Sequence, residues 1–122
     1  MKKKVLYPLV ALFGLAVSIG PVSAHAHVES TEPRNGDTVK SSPAKIVVRF
    51  GNAVEPALST INVTTDADKA VDLEPTELSD GETTLSAKPV STLQPAIYHV
   101  RWKALSHDGH PVSGEFSFTV SK

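Results

Sequence analysis

The alternation of apolar and polar positions predicts strands along most of the chain, and no segment carries a helical stripe. The clearest pattern covers residues 96–104, where Tyr98, Val100 and Trp102 alternate with His99, Arg101 and Lys103. Its expected partner is residues 112–120, with Phe116, Phe118 and Val120 on one face and Glu115, Ser117 and Thr119 on the other. Residues 45–50 show the same period, Ile46, Val48 and Phe50 against Lys45, Val47 and Arg49, and residues 59–65 resume it with Ile61 and Val63. Three weaker strands complete the pattern. One is residues 28–31, ended by the turn Pro33-Arg34-Asn35-Gly36-Asp37; another is marked by Val71 and Leu73. The last is residues 83–87, entered through Ser79-Asp80-Gly81-Glu82, whose Asp-Gly pair favours a tight hairpin.

About seven short, evenly spaced strands punctuated by Gly, Pro and Asp imply an all-β chain, folded as a single antiparallel Greek-key sandwich or barrel. The predicted core is Ile46, Val48, Phe50, Ile61, Val63, Leu85, Tyr98, Val100, Trp102, Phe116 and Phe118. Trp102 continues the apolar side of its strand and is expected as a core anchor rather than a binding platform.

Composition changes this picture in two ways. The chain has 122 residues and no cysteine, so a core rather than disulfides must hold it, and thiolate metal sites are excluded. Its start reads as an export signal over residues 1–24: Lys2, Lys3 and Lys4, then an apolar run over residues 5–22, then Val22-Ser23-Ala24 as a cleavage site. An uncleaved anchor is the alternative, but Pro8, Gly14, Gly20 and Pro21 interrupt the run. Removing residues 1–24 leaves nine basic against thirteen acidic residues, a formal charge of −4. That is no nucleic-acid footprint. The remaining domain, residues 25–122, is expected to be a monomer free of the membrane.

The candidate chemistry sits at opposite ends of the chain. Ser106-His107-Asp108-Gly109-His110-Pro111 places a carboxylate and two imidazoles in one loop, and cleavage after Ala24 makes His25 the first residue. An N-terminal histidine chelates through its amine and its ring together. In an extended backbone Asp108 and His110, two apart, point the same way. His25, Asp108 and His110 would then supply three nitrogens and one oxygen, a set preferred by Cu(II), whereas Zn would want a tetrahedral array and Cu(I) soft sulfur ligands. Each signal has a plain alternative. Asp108-Gly109 is a common turn pair, and cleavage after Ala26 would start the chain at His27. His27 is the candidate auxiliary group, His107 an outer or exposed residue, and His99 a surface residue on the polar side of its strand.

These motifs resemble the periplasmic copper-resistance proteins of the CopC type. The resemblance spans residues 25–122 and is carried by His25-Ala26-His27, by Thr31-Glu32-Pro33 and Asn35-Gly36-Asp37, and by residues 46–50 with Val54-Glu55. Above all it rests on Tyr98-His99-Val100-Arg101-Trp102 followed by residues 106–120. It implies an immunoglobulin-like or cupredoxin-like sandwich that binds one Cu(II) ion through His25, Asp108 and His110. It also implies a role in copper resistance, homeostasis or transfer, with an inner-membrane permease of the CopD type as partner. The chain departs from methionine-rich relatives, because its one methionine is Met1, so no thioether Cu(I) site is expected. The chain ends two residues after its last predicted strand, so no fused permease domain is expected either.

The leading expectation is therefore a binder rather than an enzyme. A copper-dependent oxidative enzyme of the histidine-brace type is the second candidate, although Asp108 would fill a position that oxygen activation needs open. A metal-free structural sandwich is the third.

Overall fold

The computed structural model describes residues 27–122. Eight strands follow in order: β1 (Val28–Glu32), β2 (Thr38–Val39), β3 (Ile46–Phe50), β4 (Thr60–Thr65), β5 (Glu77–Ser79), β6 (Thr84–Ala87), β7 (Ala96–Leu105) and β8 (Pro111–Val120). A single 3-10 turn, Pro56–Leu58, lies between β3 and β4. Among the described residues no helix is long and apolar enough to cross a membrane. The strands form two four-stranded sheets, ordered β1-β3-β6-β5 and β2-β8-β7-β4. These pack face to face as a sandwich.

The core forms where the alternating faces predicted it. All eleven expected core residues are buried, joined by Val54, Ala87, Leu93, Ala104 and Val120. Across the two sheets Phe50 meets Trp102 edge to face at a centroid distance of 5.3 Å. Within the second sheet Tyr98 stacks on its register partner Phe118 at 5.4 Å. Each buried side chain of this size contributes about 1.5–3 kcal/mol relative to exposure. The hydroxyl of Tyr98 donates to the Gln94 carbonyl at 2.5 Å, which satisfies its one polar group, while burial holds its pKa above the ordinary range.

Four details differ from the alternation pattern. Val47, expected on the polar face of β3, is only 2% exposed. It lies between Glu32 of β1 and Ser86 of β6, so a central strand has little exposed surface even on its outer side. Val71 and Leu73 do not make a strand. Val71 donates its N–H to Val63 of β4, and Glu74 donates to Lys88 just beyond β6, so this segment crosses from one sheet to the other and cannot remain in either ladder. The strand that pairs there is β5, along β6 from Glu77↔Ser86 to Ser79↔Thr84. Finally, β2 pairs with β8 in parallel, the one parallel pair among the described strands. Two residues are too few to show a period, and the pairing follows from the turn at Asn35 and Gly36 docking on β8. There the Gly36 N–H donates to the Ser117 carbonyl and Asn35 Oδ1 accepts from the Ser117 N–H.

What positions the candidate loop is the β7–β8 hairpin. Its register runs from Ala96↔Val120 to Leu105↔Pro111; β4 flanks β7 up to Lys103 near the loop, while β2 meets β8 only at Thr119 and Val120, at the far end.

Candidate metal centre

Residues 106–110 are tied into a knot by backbone and by one buried hydroxyl. Gly109 N–H donates to the Ser106 carbonyl at 3.0 Å, and Ser106 N–H donates to the His110 carbonyl at 3.0 Å. Gly109 has φ +87°, a left-handed conformation that residues with a side chain rarely adopt. A turn followed by a left-handed glycine is a common way to close a longer hairpin loop.

Ser106 is 1% exposed. Its hydroxyl donates to Asp108 Oδ1 and accepts from the His110 N–H at 3.2 Å. The His110 N–H also lies 3.3 Å from Asp108 Oδ1. These contacts turn the Asp108 carboxylate toward the imidazole of His110, whose Nδ1 stands 3.1 Å from Asp108 Oδ2. The Ser106 hydrogen bond, with smaller contributions from His110, holds the Asp108 carboxyl down at about 2, so it is an anion at any ordinary pH. Both side chains reach solvent, His110 at 58% and Asp108 at 29% exposure. The result is an ionised oxygen donor and an imidazole at one exposed point, held by a hydroxyl beneath them.

The other histidines are placed differently. His107 points away from this pair, its Nε2 3.0 Å from Glu82 Oε2 and 3.7 Å from Glu55 Oε1. Glu82 itself has φ +65°, inside the β5–β6 turn. His99 pairs with Asp66 on the outer face of the second sheet, remote from the loop. His27 lies at the start of β1, where its carbonyl accepts the Gly51 N–H at 2.9 Å. His25 lies outside the described residues. Among the described residues no three His, Asp or Glu side chains converge as a metal-binding group.

The start of β1 nonetheless belongs to the same end of the sandwich as the loop. Val28 pairs with Phe50 at the end of β3, and the chain beyond Phe50 runs directly to the centre. There Val54 bridges Ser106, and Glu55 N–H donates to the Leu105 carbonyl at 2.8 Å. Periodicity missed Ser106, Glu55 and Glu82. All three lie in stretches already marked in the sequence, Glu55 beside Val54, Glu82 in the Asp-Gly turn, and Ser106 as a hydroxyl residue two before an aspartate, the spacing of a local side-chain turn.

Fold and loop together define a class: a small two-sheet β-sandwich that presents an oriented carboxylate and imidazole on its central hairpin. The sequence profile of the CopC domain matches residues 28–121, and the chain belongs to the CopC family. It is 30% identical over 115 residues to copper resistance protein C of Xanthomonas campestris pv. juglandis, covering 87% of this chain and 89% of that one. It is 33% identical over 100 residues to the copper transport protein CutJ of Bacillus subtilis, covering 81% of this chain but only 18% of that longer protein. Among solved structures, CopC from Methylosinus trichosporium OB3b superposes with a TM-score of 0.73 at 34% identity, covering 80% of this chain and 94% of that one.

Proposed function

We propose that this protein is exported by residues 1–24 and that residues 25–122 act in the periplasm as a Cu(II)-binding domain. One Cu(II) ion is bound by the amine and imidazole of His25, the carboxylate of Asp108 and the imidazole of His110. The observation that carries this is the pairing of Asp108 with His110 at 3.1 Å on an exposed loop, at the end of the sandwich where the chain enters β1. Three nitrogens and an anionic oxygen suit Cu(II), and no thiolate or thioether is available for Cu(I) once Met1 is removed. The two residues before His27 span at most about 7 Å, so the chelate must form close to the start of β1. Copper is the cargo, held or handed on to a membrane permease of the CopD type. An oxidative role fits less well, because the carboxylate takes a coordination position that oxygen activation requires.

The chelate is tested through the covalent start of the chain. A protein with one extra Gly before His25 converts the amine into an amide, a far poorer donor, while every side chain stays in place. It is expected to fold normally and to lose most of its Cu(II) affinity in a competition titration, as is also expected of His110→Ala. Unchanged affinity with an unchanged electron paramagnetic resonance spectrum would remove His25 from the ligand set.

A further inference from the structure

Gly51 has no backbone reason to be glycine. Among the described glycines only Gly36, Gly81 and Gly109 have positive φ. What distinguishes Gly51 is what stands above it. A Cβ built there would lie 2.5 Å from Cε1, 2.8 Å from Nε2 and 3.1 Å from Nδ1 of His27, far inside the usual carbon contact of about 3.5–4.0 Å. Those ring atoms are the three nearest heavy atoms to that point. The imidazole of His27 therefore rests on the bare backbone of residue 51, and the Gly51 N–H closes the contact from below by donating to the His27 carbonyl at 2.9 Å. Only a residue without a side chain offers such a seat.

We infer that Gly51 and the His27 ring form a docking peg that aims the N-terminal arm at the metal loop, and that His27 acts by packing rather than as a copper ligand. This rests on the Cu(II) site proposed above. The seat is flanked by two buried residues. Phe50, one residue before it, is buried against Trp102, and Val54, three residues after it, bridges Ser106 of the loop. A ring fixed on Gly51 fixes the direction of the chain that leaves it. Without the peg the His27 ring is not held, and the cost of ordering it falls on copper binding.

The test uses the domain beginning at His25, with Cu(II) itself as the probe and four variants: Gly51→Ala, His27→Ala, His27→Phe and the double Gly51→Ala/His27→Ala. An alanine methyl at 51 displaces only the end of a flexible side chain, so the metal-free melting temperature should stay near wild type. Cu(II) affinity should fall about ten-fold or more, as is typical when a residue that orients a ligand is lost. His27→Ala should fall similarly, and the double variant should be no weaker than His27→Ala alone, since the two act through one contact. His27→Phe keeps a flat ring without ring nitrogens and should retain most of the affinity. The copper spectrum should keep its nitrogen hyperfine pattern throughout.

Wild-type affinity in Gly51→Ala, or His27→Phe as weak as His27→Ala, would overturn the peg. So would a lost nitrogen coupling in His27→Ala, which would make His27 a ligand. If Gly51→Ala does not fold, the two His27 variants still decide. If wild-type copper binding does not depend on His110, the copper site fails instead. The peg is then judged in the metal-free protein, where the His27 ring resonances must shift in Gly51→Ala and an unshifted ring rejects it.

Discussion

Ser106 sets the electrostatics of the centre from beneath it. Its hydroxyl stabilises the charged form of Asp108 and is the main reason that carboxyl titrates at about 2 rather than 3.8. A carboxyl depressed in the folded state stabilises the fold above its ordinary value and loses that contribution as pH falls through its folded value. The loss here therefore sets in as pH falls toward 3.8 and is complete only below about 2. Ser106→Ala should move the Asp108 transition upward, toward 3.8, in a carboxyl NMR titration of the metal-free protein. An unmoved transition would mean the hydroxyl does not hold the charge. Because Asp108 stays ionised well into acid, weakening of Cu(II) binding between neutral and mildly acidic pH should come from the nitrogen donors, which must be deprotonated to coordinate. Affinity that is flat over that range would contradict a nitrogen-rich site.

At the scale of the element, the β7–β8 hairpin turns two strand periods into one rigid platform. The strands themselves are legible in Tyr98, Val100 and Trp102 and in Phe116 and Phe118, because alternation depends only on neighbours two residues apart. The loop is less so. Its shape depends on Gly109 at φ +87° and on a hydroxyl that must be buried before it can bind anything. An L-residue in that conformation costs about 1–2 kcal/mol, so Gly109→Ala should lower stability to chemical denaturation by about that amount. The loop should relax as it does so, and Cu(II) affinity should fall with it. A variant as stable as wild type, with wild-type affinity, would show that the loop does not need this conformation.

On the scale of the whole molecule, the two sheets hold the start of β1 and the β7–β8 loop at one pole. β1 and β8 lie in different sheets, and what joins them near the loop is residues 50–55. Phe50 packs on Trp102, Val54 bridges Ser106, and Glu55 bonds Leu105. A ligand that binds only when the start of the domain and the loop are both in place stabilises the folded state by mass action. At a free Cu(II) concentration a thousand times the dissociation constant this is worth about 4 kcal/mol. Copper should accordingly raise the melting temperature of the wild-type domain, a chelator should reverse the rise, and His110→Ala should abolish it. A metal-free structural sandwich would melt at the same temperature with or without copper.

The sequence by itself determined the all-β class, the eleven expected core residues and the carboxylate and imidazoles gathered in residues 106–110. Each of these is a local property, readable from a period of two, from turn residues or from the chemistry of adjacent side chains. Tertiary structure alone decided the rest. It buried Val47 by placing β3 between β1 and β6, sent residues 70–74 across from one sheet to the other, and added the parallel strand β2 to β8. It also set His107 between Glu55 and Glu82 rather than beside Asp108, and laid the His27 ring on Gly51. Those outcomes join residues far apart in the chain, and no spacing along a single strand encodes them. They depend on which strands become neighbours once the two sheets close over a common core.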